Sequence, residues 1–102
     1  MDQFNGKLAV ITGAGSGIGR ALATRCAQEG MRLALVDVQA GKLQALRDKL
    51  EGDGAEVRAQ TLDVSNAADY NAFAQQCIAE LGTPDLLFNN AGILRFGDTW
   101  EW

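Results

Sequence analysis

Four glycines at alternate positions form the segment of this sequence that is best suited to bind a ligand. Gly13, Gly15, Gly17 and Gly19 lie between an apolar run and a segment whose apolar residues recur at helical spacing. A turn without side chains lets a ligand approach the backbone, and a helix that starts there directs free N–H groups and the positive end of its dipole toward that ligand. A pyrophosphate group is the expected occupant, although a flexible strand-to-helix turn would have the same composition.

A carboxylate follows at the distance expected for recognition of a ribose. Asp37 ends the second apolar run, eighteen residues beyond Gly19. A carboxylate accepts hydrogen bonds from a 2′-hydroxyl and repels a 2′-phosphate, and neither Ser16 nor Val38 supplies an offsetting positive charge. Asp37 therefore predicts a preference for NAD over NADP, and the alternative interpretation is a solvated carboxylate in a loop.

Two later segments complete the candidate site. Asp63 can accept a hydrogen bond from an adenine amino group and Val64 can contact the ring, but a turn aspartate that precedes a helix explains this pair nearly as well. In Asn89-Asn90-Ala91-Gly92, the amides can join two strands and line a ribose, and the small residues let the backbone approach a cofactor. In isolation, this last segment would be an ordinary turn.

The predicted elements bring these four segments together. Apolar patterns predict strands over residues 7–12, 32–37, 56–62 and 85–90, and helices over residues 17–30, 40–50 and 66–81. Strands and helices that alternate with short connections predict an α/β fold of three layers, in which helices cover a parallel sheet of strand order 3-2-1-4. Ligands bind such sheets at the carboxyl ends of the strands, which is where all four segments lie.

Length, charge and composition narrow the classes of function. The 102 residues fit one domain, and the net charge of −4 argues against a nucleic-acid partner. The sequence has no apolar run long enough for a membrane-spanning helix, and its start lacks the pattern of a secretory signal. Without histidine, neither a His-based triad nor a metal-ligand cluster is expected. Cys26 and Cys77 are predicted to be reduced core residues of a cytoplasmic protein.

Together, these motifs resemble the N-terminal, cofactor-binding half of a short-chain dehydrogenase/reductase. The resemblance covers about residues 5–97. It rests on four motifs in the correct order, Thr12-Gly13-Ala14-Gly15-Ser16-Gly17-Ile18-Gly19, Asp37, Asp63-Val64 and Asn89-Asn90-Ala91-Gly92. It implies a Rossmann fold, a nicotinamide cofactor and, for a complete protein, hydride transfer between the nicotinamide and an alcohol or carbonyl substrate.

The resemblance also implies a role for each motif. Ser16 and Ile18 would bind the phosphates, and Asp37 would bind the adenosine ribose. Asp63 and Val64 would bind the adenine, and the last motif would contact the adenosine ribose and lead toward the nicotinamide. The implied cofactor-binding residues are Gly13, Ser16, Gly17, Ile18, Gly19, Asp37, Asp63, Val64, Asn90, Ala91 and Gly92.

The catalytic residues of that family do not occur in these 102 residues. They would be a Ser, a Tyr-x-x-x-Lys pair and a helical Asn after the last motif, but only ten residues follow Gly92 and none matches. Tyr70 is the only tyrosine, and Ala74 stands where the lysine would be. A tyrosine with its ordinary pKa of about 10 needs a nearby cation to act at neutral pH. We therefore expect residues 1–102 to be a single, incomplete NAD-binding domain that is inactive by itself.

Other functions stay open at this stage. The chain could be a non-catalytic nucleotide-binding or oligomerising module, whereas the absence of Gly-Lys-Ser/Thr after the glycines argues against phosphoryl transfer. Strand four, central in the complete fold, would become an exposed edge here and leave one face of the sheet bare. This predicts either a homo-oligomer, formed through strand four or the bare face, or marginal stability. Neither the substrate nor the role of residues 93–102, which include Trp100 and Trp102, can be read from the sequence.

Overall fold

The computed structural model describes residues 4–15, 17–62, 67–89 and 92–95. The strands in these ranges are β1 (Leu8–Thr12), β2 (Arg32–Asp37), β3 (Val57–Thr61), β4 (Leu86–Asn89) and β5 (Gly92–Arg95). The helices are α1 (Gly17–Gln28), α2 (Ala40–Gly52) and α3 (Ala67–Leu81). The seven predicted elements are all present, and their ends differ from the predicted ends by no more than two residues.

One sheet contains all of the described strands, in the order β3-β2-β1-β4-β5. The three pairings among the first four strands are parallel, and Val10 at the centre of β1 lies opposite Ala34 of β2 and Leu87 of β4. The predicted α/β fold, a Rossmann-type parallel sheet of order 3-2-1-4, is therefore confirmed. The carboxyl ends of these strands share one edge of the sheet, which is the edge predicted to bind a ligand.

Apolar side chains alternate between the two faces of the sheet because successive residues of a strand point in opposite directions. On one face, Ile11 and Leu35 pack with residues of α1 and α2 such as Cys26 and Leu46. A second cluster lies on the other face, where Phe73 and Cys77 of α3 pack against the sheet. The buried members of this cluster are Leu8, Val10, Ala34, Val36, Leu62, Phe73, Cys77 and Leu87. Burial on both faces explains why β1 and β2 are continuous apolar runs.

The strand predicted to be an exposed edge is instead paired on both sides. β5 runs antiparallel to β4, with Phe88 opposite Ile93 and Asn89 opposite Gly92. The expectation of unpaired N–H and C=O groups along β4 is therefore wrong, and in the described part of the chain that edge belongs to β5. An antiparallel partner needs only a short hairpin connection, whereas a parallel partner needs a crossover of a dozen or more residues.

A glycine follows α1 at residue 30, where the predicted helix over residues 17–30 ends. Gly30 has φ +80°, and its N–H donates to the carbonyl oxygen of Ala27 at 3.0 Å. The N–H of Met31 then donates to the carbonyl oxygen of Cys26 at 3.1 Å, which satisfies a second carbonyl of the last turn. The chain then enters β2, and the parallel pairing of β2 with β1, with Thr12 opposite Val36, brings the end of β2 beside the glycine turn.

Candidate functional site

The turn after β1 is bent by glycine and tied to the neighbouring strand. Gly13 has φ +69°, a conformation that strains residues with a side chain. The N–H of the buried Ala14 donates to the carbonyl oxygen of Val36 at 3.0 Å, so the turn leans over the carboxyl end of β2. The path of the backbone at residues 13–15 is thus set by contacts with β2.

The first turn of α1 packs directly against this glycine turn. A Cβ atom added to Gly19 would collide with the carbonyl oxygen of Gly13 and lie 3.0 Å from Cα of Ala14. A glycine at position 19 therefore permits the closest approach between the helix and the turn. The amino end of α1, with its N–H groups, is in this way held at the ligand edge of the sheet.

Gly17 differs from Gly19 because space around it is open. Among the residues that the structure describes, no atom lies within 4 Å of a Cβ atom added to Gly17. The next residue, Ile18, is 73% exposed, and Val38, the residue after β2, is 59% exposed. The carboxyl edge of the sheet thus exposes an open backbone position at Gly17 and the two large apolar side chains. A ligand that has both phosphate and ring groups can cover this surface.

Asp37 at the end of β2 is bound by two backbone N–H groups. Its Oδ2 accepts from the N–H of Gly15 at 2.8 Å, and its Oδ1 accepts from the N–H of Gln39 at 2.7 Å. The residue is only 8% exposed. Each carboxylate oxygen can accept more than one hydrogen bond, so both retain acceptor capacity for hydroxyl groups of a ligand.

Gly15 is a residue of this site that the predicted set leaves out. A Cβ atom added to Gly15 would lie 3.0 Å from Oδ2 of Asp37 and 3.0 Å from Cβ of Lys42. The alternation of glycines is the sequence feature that points to Gly15, because it places Gly15 between Gly13 and Gly17 of the predicted set. Alternation alone does not say which glycine meets the carboxylate, because that contact joins residues 22 positions apart.

Thr12 connects the site to β4. Its side chain is buried, and its hydroxyl donates to the carbonyl oxygen of Phe88 across a long 3.4 Å. The hydrogen bond joins β1 to β4 at their carboxyl ends, from the residue that follows Ile11 to Phe88, the partner of Ile11 in the register. The strand that carries the glycine turn is therefore anchored on both sides.

The structure places about half of the predicted site residues at one edge. The members found at the carboxyl ends of β1 and β2 are Gly13, Gly17, Ile18, Gly19 and Asp37. Gly92 is the first residue of β5 and lies opposite Asn89. The other members, Ser16, Asp63, Val64, Asn90 and Ala91, lie outside the described residues.

The described ranges contain neither a cluster of metal-binding side chains nor a membrane-spanning helix. No group of three or more His, Cys, Asp or Glu side chains in them could hold a metal ion, and no helix in them is long and apolar enough to cross a membrane. The two cysteines are buried free thiols. Burial raises the pKa of Cys26 and raises that of Cys77 to about 11, so both thiols are protonated at neutral pH.

The parallel sheet of order 3-2-1-4, the glycine turn and the carboxylate beside it define a nucleotide-binding segment of the Rossmann type. This chain belongs to the short-chain dehydrogenase family, whose model matches residues 7–102. It is 41% identical over 99 residues to D-threitol dehydrogenase of Mycolicibacterium smegmatis, and the alignment covers 97% of this chain and 38% of that relative.

Solved structures with bound cofactor show the same fold. A short-chain dehydrogenase/reductase from Burkholderia phymatum in complex with NAD is 49% identical with a TM-score of 0.80, over 86% of this chain and 31% of that one. L-Sorbose reductase from Gluconobacter frateurii, in complex with NADPH and L-sorbose, is 37% identical with a TM-score of 0.80, over 90% of this chain and 36% of that one. The chain spans less than two fifths of the length of each of these proteins. It is an NAD(P)-binding Rossmann segment of a family of oxidoreductases.

Proposed function

We propose that this chain is the cofactor-binding portion of an NAD-dependent oxidoreductase, which as a whole transfers hydride between the nicotinamide and an alcohol or carbonyl substrate. The observation that carries the proposal is the 2.8 Å hydrogen bond from the Gly15 N–H to the Asp37 carboxylate. It joins the turn expected to hold a pyrophosphate to the carboxylate expected to hold the adjacent ribose. These two groups are neighbours in a dinucleotide, so one ligand would engage both.

The same carboxylate supports a preference for NAD over NADP. Asp37 is mostly buried, and a 2′-phosphate beside it would bring two anions together where water screens them poorly. The next residue, Val38, is exposed and apolar, so it adds no positive charge. One related structure holds NAD and another holds NADPH, and the proposed preference therefore rests on these residues of the chain itself.

The surroundings of Gly17 and Ile18 in the structure support their proposed roles, whereas the other remaining residues take their roles from the family to which the chain belongs. The open space at Gly17 leaves room for a phosphate, and Ile18 beside it supplies an apolar contact where the ligand leaves the turn. Asp63 and Val64 are proposed to hold the adenine, and the segment from Asn90 to Gly92 is proposed to line the path toward the nicotinamide. The nicotinamide itself supplies hydride chemistry when bound, and this chain binds and orients it.

We further propose that residues 1–102 do not catalyse hydride transfer alone. The position four residues after Tyr70 is Ala74, a buried residue of α3, so no lysine stands there to lower the pKa of a catalytic tyrosine. No Tyr-x-x-x-Lys pair occurs in the sequence. We also propose a cytoplasmic location, from the composition, and a homo-oligomer in which copies of the chain cover a bare face of the sheet.

Calorimetric titration of the 102-residue chain with NAD, NADP and ATP tests the proposed function. We expect NAD to bind at least about tenfold more tightly than NADP. Gly17→Ala should retain the stability of the fold, because no atom of the described residues lies within 4 Å of the new methyl group. It should nevertheless weaken NAD binding about tenfold by obstructing the phosphates. Gly41→Ala, also in open space but within α2, is the matched control and should bind NAD normally.

The outcomes separate the proposal from its alternatives. Equal affinity for ATP and NAD would favour a general nucleotide-binding module over a dinucleotide site. Binding of NADP as tight as that of NAD would refute the selectivity assigned to Asp37. Reduction of a carbonyl compound by NADH above background with the purified chain would refute the proposed inactivity.

A further inference from the structure

We infer that Asp37 is also the positioning residue of the glycine turn, which its carboxylate holds in the shape that receives phosphates before any cofactor is bound. The inference rests on the proposed function, because it takes the turn and the carboxylate to be parts of one dinucleotide site. It adds a second role to the recognition of ribose hydroxyls, and this role acts on the other half of the ligand.

The two oxygens of Asp37 hold the starts of two different structural elements. Oδ2 binds the N–H of Gly15, in the turn that leads into α1, and Oδ1 binds the N–H of Gln39, which immediately precedes α2. With both oxygens engaged, the carboxylate is fixed in one orientation. Because the group is 8% exposed and hydrogen bonds to a charged acceptor are strong, water competes poorly for either N–H.

Packing at Gly15 provides independent support. A Cβ atom added there would lie 3.0 Å from Oδ2 of Asp37 and 3.0 Å from Cβ of Lys42, which is tighter than ordinary van der Waals contact. The space that a side chain would need at position 15 is thus filled by the carboxylate and by the stem of Lys42. The contact with Asp37 therefore explains why the residue at position 15 is a glycine. Gly17, in contrast, has open space around it among the described residues.

The two roles predict opposite effects on a ligand that lacks ribose hydroxyls. If Asp37 only recognised hydroxyls, Asp37→Asn would leave the binding of such a ligand unchanged, or strengthen it by removing a negative charge near its phosphates. If Asp37 positions the turn, Asp37→Asn must weaken binding. An asparagine side chain has one oxygen, so its NH₂ group would face the N–H of either Gly15 or Gln39 and one hydrogen bond would be lost.

The probe for this difference is 2′,3′-dideoxyadenosine 5′-diphosphate, which keeps the pyrophosphate and lacks both hydroxyls. We expect Asp37→Asn to weaken its binding by about fivefold relative to the unmodified chain. Asp53→Asn is the matched control, because Asp53 is an exposed aspartate at the far end of α2, and it should leave the affinity unchanged. Unchanged or tighter binding of the probe by Asp37→Asn would overturn the inference.

Amide hydrogen exchange at Gly15 gives a second readout that needs no ligand. In the unmodified chain, the Gly15 N–H should be protected from exchange, and Asp37→Asn should speed its exchange about tenfold while Asp53→Asn does not. An unprotected Gly15 amide in the unmodified chain would overturn the inference even if the variant failed to fold. If the unmodified chain binds neither NAD nor the probe, the proposed function fails, and the exchange of Gly15 alone then decides whether Asp37 holds the turn.

Discussion

Gly19 in α1 and Gly13 in the turn after β1 are in such close contact that the helix lies on the backbone of the turn. A methyl group at position 19 would meet the Gly13 carbonyl oxygen, which belongs to the backbone and cannot rotate away. The contact fixes the angle at which α1 leaves the sheet. It also fixes where the N–H groups of the helix point, so a packing contact controls the geometry of the ligand edge.

Gly19→Ala should therefore damage both folding and binding. We expect the free energy of unfolding to fall by about 1–3 kcal/mol, because the helix must move away from the turn to admit the methyl group. Urea denaturation measures the stability, and calorimetry with NAD measures the binding. Unaltered stability would show that the contact between the helix and the turn is looser than the structure indicates.

Two other glycines should respond to alanine in opposite directions. Gly41 lies in the first turn of α2 with open space around it, so Gly41→Ala should stabilise the chain by up to about 1 kcal/mol. Gly54 also has open space, but its φ is +97°, so Gly54→Ala should destabilise the chain by about 1–2 kcal/mol. Urea denaturation of both variants under the same conditions tests this difference. Changes of the same sign would contradict it.

Alkaline pH should destabilise the chain through Cys77. Burial raises the pKa of this thiol from its ordinary value of 9.0 to about 11. Between these values the unfolded chain loses the thiol proton and the folded chain retains it, so stability falls as the pH rises from 9 to 11, by up to about 1 kcal/mol per pH unit. The stabilising contribution is fully present below pH 9.

Cys77→Ala is the variant that isolates this effect. It is less stable at neutral pH because it loses buried volume, but its stability should decline less between pH 9 and 11 than that of the unmodified chain. Cys26, whose pKa is also raised by burial, is present in both proteins and so does not affect the comparison. Identical slopes in the two proteins would mean that the Cys77 thiolate is not excluded from the fold.

Replacing Asp37 by serine should change the choice of cofactor. Asp37→Ser removes the negative charge beside the proposed 2′-position, so the ratio of NADP affinity to NAD affinity should rise about tenfold or more. The absolute affinity for NAD should fall as well, because serine offers one oxygen where the carboxylate offers two to the N–H groups of Gly15 and Gln39. Competition titrations with both cofactors measure the ratio directly. An unchanged ratio would show that Asp37 does not determine the preference for NAD over NADP.

Elements with a strong local signal could be predicted from the sequence. The apolar runs of β1 and β2 indicate strands buried on both faces, and the structure confirms them at residues 8–12 and 32–37. The predicted helix over residues 17–30 ends at Gly30, whose positive φ is typical of the residue that follows a helix. The order 3-2-1-4 followed from the alternation of strands and helices, since short right-handed crossovers leave few other arrangements.

β5 could not be predicted because its signal depends on its partner. Its central residues Ile93 and Leu94 form an apolar pair too short to show a period. Their pairing with Phe88 and Leu87 exists only because β5 lies antiparallel to β4 in the folded chain. The exposed edge predicted at β4 was wrong for the same reason. A local pattern does not reveal which segment will return to cover an edge.

The sequence by itself determined the class of fold, the family and the edge of the sheet at which a ligand is expected, because periodicity and glycine spacing are local properties of the chain. Only the tertiary structure decided that Gly15 contacts Asp37, that Gly19 rests on Gly13 and that Gly17 stands in open space. These contacts form only when α1 packs on the turn after β1 and when β2 pairs with β1. Four alternate glycines look equivalent in the sequence, and packing gives three of them different surroundings.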